Sequence, residues 1–317
     1  MSERAAIGVD VGGTRTRAGI VDDEGHVLMR TERPTDPVAG TKGIIAVIED
    51  LLERDGDLDV RVACIGVGAA GFIDAARGAV TFSPNLIYDD PAVRDAVASR
   101  TSLPVVVDND ANVAAWGERT FGSAQGTQDL ALLTIGTGIG SGFVVNGRLV
   151  RGHTGAAAEL GHMVVDPDGP ECNCGLRGCL EQLASGQAIA RLGREAVEGD
   201  PRSSILSFAG SPEAITAEHV GRAGKEYDET ARTVLRRAGR SLGIGLSNVA
   251  NIFDPEVIVL AGSVLAAGEA YLGAARDQLV AMTKAQRRRP MRLDVTALGK
   301  DMGIIGAAAL ALEETTD

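Results

Sequence analysis

Ala6-Ile7-Gly8-Val9-Asp10-Val11-Gly12-Gly13-Thr14 carries an apolar run into a glycine turn, and Ala18-Gly19-Ile20-Val21, a turn over residues 22–25 and the apolar pair Val27-Leu28 follow it. This reads as a strand, a tight turn and a hairpin. The same grammar returns as Leu130 to Ile135, then Gly136-Thr137-Gly138, then Gly142-Phe143-Val144-Val145, the turn Asn146-Gly147 and Leu149-Val150. Asp10 corresponds to Thr134, Gly12 to Gly136 and Ile20 to Val144, all at one separation along the chain. The repetition predicts an internally duplicated chain whose two similar α/β halves pack around a shared cleft, a common place for ligands.

Between the copies, residue spacing predicts a helix over Ile44 to Glu53, a buried strand over Arg61 to Val67, a helix over Val93 to Ala98 and a strand over Pro104 to Val107. Beyond the second copy it predicts helices over Ala188 to Val197 and Glu229 to Asn251, a strand over Val257 to Leu260 and a closing apolar helix over Gly303 to Leu312. No Pro-, Ser- or charge-rich linker separates the halves. The expected class is α/β, with a small domain of residues 1–108 plus 302–317 and a large domain of residues 109–301.

The chain has 317 residues, enough for two domains, and its 44% hydrophobic content suits well-filled cores. With 43 acidic against 31 basic residues and a net charge of -12, it lacks the positive field that nucleic acid or an anionic membrane surface requires. Phosphorylated ligands must then be held by local features. The first seven residues contain no signal-peptide core, and the longest uncharged stretch, Leu130 to Gly147, is too broken by Gly and Thr to be a membrane helix. These features lead to the expectation of a cytoplasmic protein with neither nucleic acid nor membrane as a partner.

A strand entering Gly-Gly-Thr exposes backbone N–H groups on a turn without Cβ bulk, and these can approach phosphate oxygens closely. Asp10, just before the turn, is placed to hold a water of a phosphate-bound Mg²⁺, and the Thr14 hydroxyl to donate to a phosphate. One copy alone is equally a plain hairpin entry; two matched copies favour phosphate. No P-loop consensus is present. Gly66, Gly68 and Gly71 spell G-x-G-x-x-G after a strand, but Phe72-Ile73-Asp74 and the turn Arg77-Gly78 follow, not the helix that a dinucleotide fingerprint must open.

Val105-Val106-Val107 ends in Asp108-Asn109-Asp110, directly before the helical stretch Ala111 to Arg119. Asp110 there is a candidate reactive carboxylate and equally a candidate helix N-cap, and the roles can coexist. Of the four cysteines, Cys64 lies within an apolar strand and reads as core. Cys172, Cys174 and Cys179 crowd a glycine-rich polar loop, where metal is favoured over disulfides in a reducing compartment. With His162 they make one imidazole and three thiolates, a set suited to a closed tetrahedral Zn²⁺; the alternative is three reduced, buried thiols.

Asp10-Val-Gly-Gly-Thr14, Glu159-Leu-Gly-His162 and Cys172-x-Cys174-Gly-x-x-Gly-Cys179-x-Glu181 together resemble the ROK family of sugar kinases and sugar-responsive repressors, and within it the bacterial glucokinases. The similarity runs from Ile7 to about Leu312. The resemblance implies the actin-like ATPase fold, with ATP and sugar in a cleft between two domains, and ATP-dependent phosphorylation of glucose at its 6-hydroxyl. Kinases for mannose, N-acetylmannosamine, N-acetylglucosamine and fructose share the pattern, so these are alternative acceptors.

Residue by residue, the resemblance implies Asp110 as general base for the sugar hydroxyl. It implies sugar contacts from Gly71, Asn85, Asn109, Asp110, Glu159, His162 and Glu181. The nucleotide and its Mg²⁺ fall to Asp10, Gly12, Gly13, Thr14, Thr137, Gly138, Gly262 and Ser263. A structural Zn²⁺ falls to His162, Cys172, Cys174 and Cys179, with one ring nitrogen of His162 on the metal and the other toward the anomeric hydroxyl. Family repressors carry a helix-turn-helix domain ahead of the first glycine turn, whereas nine residues precede Asp10 here, which favours the enzyme. The expected partners are glucose and ATP, bound by a homodimer or homotetramer. Arg287-Arg288-Arg289 reads as a solvated charge run and Trp116 as packing.

Overall fold

The repeated strand-turn-hairpin pattern builds two five-stranded sheets. In the computed structural model, which describes residues 3–58, 60–84, 86–283 and 291–315, the first sheet contains β1 (Glu3–Val11), β2 (Arg15–Asp22), β3 (Val27–Pro34) and β4 (Val60–Ala69). The small hairpin of β5 (Phe72–Asp74) and β6 (Ala79–Phe82) follows, and β7 (Val105–Asn109) completes the sheet in the order β3-β2-β1-β4-β7. β1-β2 and β2-β3 are antiparallel, whereas β1-β4 and β4-β7 are parallel. The second sheet contains β8 (Leu130–Ile135), β9 (Ile139–Val145), β10 (Arg148–Leu149), β11 (Val257–Ala261) and β12 (Arg292–Val295), in the order β10-β9-β8-β11-β12. Each sheet places the first strand of its copy centrally, the two following strands on one side and two later strands on the other. The duplication read from the sequence is thus a duplication of topology.

The helices in chain order are α1 (Gly40–Leu52), α2 (Val93–Thr101), α3 (Asp110–Thr120), α4 (Leu180–Ala184), α5 (Gly186–Gly199), α6 (Ser204–Ala209), α7 (Ala217–Lys225), α8 (Glu229–Phe253), α9 (Glu269–Met282) and α10 (Met302–Glu314). Those expected from spacing are present as α1, α2, α3, α5, α8 and α10. The short α4 and α6, together with α7, α9 and the strand β12, were not foreseen. Each of α4 and α6 is too short to display a period, and α9 has apolar residues all round rather than along a stripe.

Compactness divides the chain into one unit of Met1–Leu132, Gly142–Ala158 and Val295–Asp317, and another of Leu133–Ser141 and Glu159–Asp294. In the first unit, period-two alternation assigns the two faces of β1. Ala5, Ile7, Val9 and Val11 are fully buried in a cluster with Ile44, Val47, Ile48 and Leu51 of α1 and with Val93 and Val97 of α2. Ala6, on the other face, packs with Ile304, Ile305, Ala308 and Ala311 of α10. On that face the helix comes so close that a Cβ at Gly8 would overlap the Ile304 carbonyl and one at Gly66 the Ala307 carbonyl. The glycine spacing at Gly66 and Gly68 therefore has a packing cause: Gly68 receives the Val113 side chain of α3, just as Gly66 receives α10. Asp10, in phase with Ala6 and Gly8, stands at the open end of this face, beside the start of α10. Among the described residues no helix is long and apolar enough to cross a membrane.

Candidate active site

In the first unit the turn after β1 is tied down at its edges. Gly12 donates its N–H to the Arg15 carbonyl at 3.0 Å and accepts at its own carbonyl from the Thr35 hydroxyl at 2.7 Å, while Thr35 N–H donates to the Thr14 carbonyl at 3.0 Å. The first glycine's N–H thus closes the turn, and the exposed Gly13-Thr14 stretch is the part able to meet a phosphate. Asp10 lies opposite Arg17 of β2, with a carboxylate to guanidinium separation of 3.6 Å and 18% of its side chain exposed. Gly303 fits against it, since a Cβ there would come within 2.6 Å of the Asp10 carboxyl carbon. Burial raises the Asp10 pKa above its ordinary value and the Arg17 charge opposes this.

The β7-α3 corner positions three expected residues through one set of bonds. Asn109 is the N-cap of α3: its side-chain oxygen accepts from Ala111 N–H at 2.9 Å and Asn112 N–H at 3.2 Å. Its amide nitrogen donates to the Gly71 carbonyl at 3.1 Å. Gly71 has φ +127°, a conformation open to glycine, and a Cβ there would overlap the Phe82 carbonyl. Asp110 is therefore not the cap. It is the first helical residue, half-buried, with its carboxylate accepting from Ala111 N–H at 2.9 Å where the helix dipole favours negative charge.

Behind the corner, the buried Asp108 accepts from Asn109 N–H at 2.7 Å, from the Asn112 amide at 2.8 Å and from Arg151 Nε at 2.6 Å, and Arg151 also holds Glu314 at 2.7 Å. Sequence reading passed over Asp108 and Arg151, because an ion pair that distant along the chain leaves no local signal. Tyr88 was missed too. Burial first, and the Asp110 charge second, push its phenol upward. Asn85 lies outside the described residues, as do Arg287, Arg288 and Arg289.

In the second unit the turn after β8 repeats the closure of the first, with Gly136 N–H donating to the Gly138 carbonyl at 3.0 Å. Its outer carbonyls accept from the start of α5: Gly186 N–H to Gly136 at 2.8 Å and Gln187 N–H to Thr137 at 3.3 Å. Glu181 on α4 accepts from Ile139 N–H at 2.9 Å. Glu159, at the end of its loop, has its carboxyl raised by burial, with the His162 charge opposing and the Glu181 charge adding, so the expected sugar-side residues of this unit feel one another.

His162, Cys172, Cys174 and Cys179 present ligand atoms that all lie within 4.8 Å of one another. His162 Nδ1 is 3.6 Å from Cys172 Sγ, and Cys174 Sγ is 3.6 Å from Cys179 Sγ. Zn–S bonds of about 2.3 Å give tetrahedral edges of roughly 3.8 Å, so the donor set fits a closed zinc site, with Nδ1 facing the thiols. Burial and the neighbouring thiols push the Cys179 thiol up to about 12.

A cavity of about 740 Å³ in the same unit brings Thr137 and Ser263 together with Gln187 of α5 and with Thr216, Arg222 and Lys225 around α7. Gly262, with φ +103°, turns the chain from β11 toward this cavity, and a Cβ there would overlap the Ile135 carbonyl. The contribution of α7 was not anticipated, although its signals exist: an amphipathic stripe and a capping box between Thr216 and His219.

Residues 6–314 match the ROK family model. The chain belongs to the ROK family. This ROK protein is 37% identical to the glucokinase of Streptomyces coelicolor over 313 residues, 97% of both chains, and 37% identical to the glucokinase of Thermotoga maritima over 316 residues, 99% of both. It is also similar to the crystal structure of a ROK family glucokinase from Streptomyces griseus in complex with glucose and AMPPNP: TM-score 0.85 and 38% identity, covering 98% of this chain and 99% of that one. The ROK protein accordingly has the actin-like ATPase fold that the motif resemblance implied.

Proposed function

We propose that this ROK protein transfers the γ-phosphoryl group of ATP to the 6-hydroxyl of glucose. The observation that carries the reading is similarity over essentially the whole chain to glucokinases, one of them crystallised with glucose and AMPPNP. The local geometry agrees with it. Asp110, released from capping by Asn109 and held half-buried at the start of α3, is the general base that takes the hydroxyl proton. The motif resemblance assigns the sugar contacts to Gly71, Asn85, Asn109, Glu159, His162 and Glu181. Asp10 orients the magnesium that arrives with ATP, the turns at Gly12-Gly13-Thr14 and Thr137-Gly138 meet the phosphates, and the cavity bordered by Ser263 and α7 takes the nucleoside.

Phosphoryl transfer passes through a loose transition state in which positioning and charge neutralisation dominate, so the reaction needs fixed backbone N–H groups, one base and the magnesium that accompanies ATP. Zinc, held by His162 Nδ1 and the three thiolates, supplies structural rigidity and no open coordination position. With its Nδ1 on the metal, His162 would present Nε2 to the sugar in a fixed tautomer.

A coupled assay of purified protein with Mg-ATP and a hexose panel tests the reading. Glucose is expected to have the highest kcat/KM. A higher value for mannose, N-acetylmannosamine, N-acetylglucosamine or fructose would reassign the acceptor, and inactivity toward all of them would remove the kinase reading.

A further inference from the structure

Glu181 is bonded in a direction that sugar recognition does not require. Its Oε2 accepts from the N–H of Ile139, the residue that follows the second glycine turn and opens β9, at 2.9 Å. The carboxylate presses so closely on the turn that a Cβ at Gly138 would overlap Oε2, which gives that glycine a second cause besides phosphate approach. Ile139 is buried, so without the carboxylate its N–H would lose its acceptor where water is scarce. The segment that delivers Glu181 is itself rigidly seated. Cys179 precedes α4, Leu180 is fully buried and donates its N–H to the Met163 carbonyl at 2.9 Å, and the buried Tyr271 hydroxyl donates to the Ala184 carbonyl at 2.7 Å. Five residues after Glu181, the same segment begins to bond the turn's outer carbonyls through Gly186 and Gln187.

We propose that Glu181 is a positioning residue for the donor nucleotide: it holds the Gly136-Thr137-Gly138 turn in its phosphate-binding shape even when no sugar is present. This inference rests on the ATP-dependent kinase reading above. It makes one short segment serve both substrates, with the carboxylate on the acceptor side also shaping the backbone on the donor side.

The test is calorimetric titration of AMP-PNP with Mg²⁺ into glucose-free protein, comparing wild type with Glu181→Gln, Glu181→Asp and Glu181→Ala. Glutamine keeps the reach and an acceptor oxygen but loses the charge; aspartate keeps the charge but is one methylene short. The inference expects Glu181→Gln to bind AMP-PNP within about threefold of wild type, and Glu181→Asp and Glu181→Ala to bind roughly tenfold or more weakly, the scale of one orphaned buried donor. In steady state the aspartate variant should raise the KM for ATP by a similar factor.

If all three variants bind AMP-PNP like wild type, Glu181 acts on sugar alone and the inference is overturned. It is equally overturned if aspartate binds like wild type while glutamine does not, because charge rather than reach would then matter. Should the alanine variant fail to fold, the glutamine and aspartate pair still decides. Wild-type protein that fails to bind AMP-PNP would instead refute the ATP reading on which the inference stands, so the two failures are separable.

Discussion

Asp110 and Asn109 show how neighbouring side chains divide labour that the sequence leaves ambiguous. Because Asn109 caps α3, Asp110→Asn removes the proposed proton acceptor without removing the cap. We expect the variant to stay folded while kcat falls by roughly 10² to 10⁴, the usual share of general base catalysis; initial rates and circular dichroism separate the two quantities. Asp10 makes a different prediction. Its folded pKa is raised by burial, so ionisation is disfavoured in the folded state relative to the unfolded one. The stability associated with the protonated form is present below the ordinary carboxylate value of 3.8 and is lost as pH rises through the folded pKa. Asp10→Asn, which cannot ionise, should therefore melt above wild type at pH 7 while losing turnover. That gain should shrink to nothing as the pH is lowered toward 3, and thermal melts across pH measure it. A variant less stable than wild type at pH 7 would mean that the Arg17 pairing outweighs the burial.

At the scale of elements, the loop from His162 to Cys179 is short of apolar anchors. Most of residues 166–177 are exposed or half-buried, and the isolated bridges Val164 to Cys179 and Glu171 to Arg177 give it little regular structure. A metal on the four side chains would supply what packing does not. Purified protein is expected to contain one zinc per chain, released by a strong chelator under mild denaturation. Cys174→Ser should lower zinc content and raise amide exchange across residues 163–180, which mass spectrometry localises. Active protein with no zinc, or unchanged exchange in the variant, would return the cysteines to ordinary reduced thiols. The loop's candidate ligands were legible because one imidazole and three thiols crowd a glycine-rich polar stretch that offers no apolar core to bury them. The Asp108-Arg151 pair beneath the β7-α3 corner was not legible, because such a pair is created by the approach of separate elements.

For the molecule as a whole, the first unit is completed by the end of the chain: α10 fills the face of β1 and β4 that Gly8 and Gly66 leave flat. A chain ending before Met302 should consequently lose the near-ultraviolet dichroism and cooperative melting of that unit, even though all of sheet one remains encoded. Retained cooperativity would show that α10 adds only a surface layer. Sequence alone determined the duplicated topology, the apolar strands and most of the longer helices, since periodic burial is written locally in residue order. It also singled out the two glycine turns and the His162, Cys172, Cys174 and Cys179 set, whose four ligand atoms the fold brings within 4.8 Å of one another. Only the tertiary structure decided that Asn109 rather than Asp110 caps α3, that Gly66 and Gly68 serve helix packing, that α7 borders the cavity, and that Glu181 braces the second turn. The last three depend on groups far apart in the chain approaching within a few ångströms, which no local pattern of residues specifies; the choice of cap is between two adjacent side chains, and the distant Gly71 carbonyl that accepts from the Asn109 amide helps to fix it.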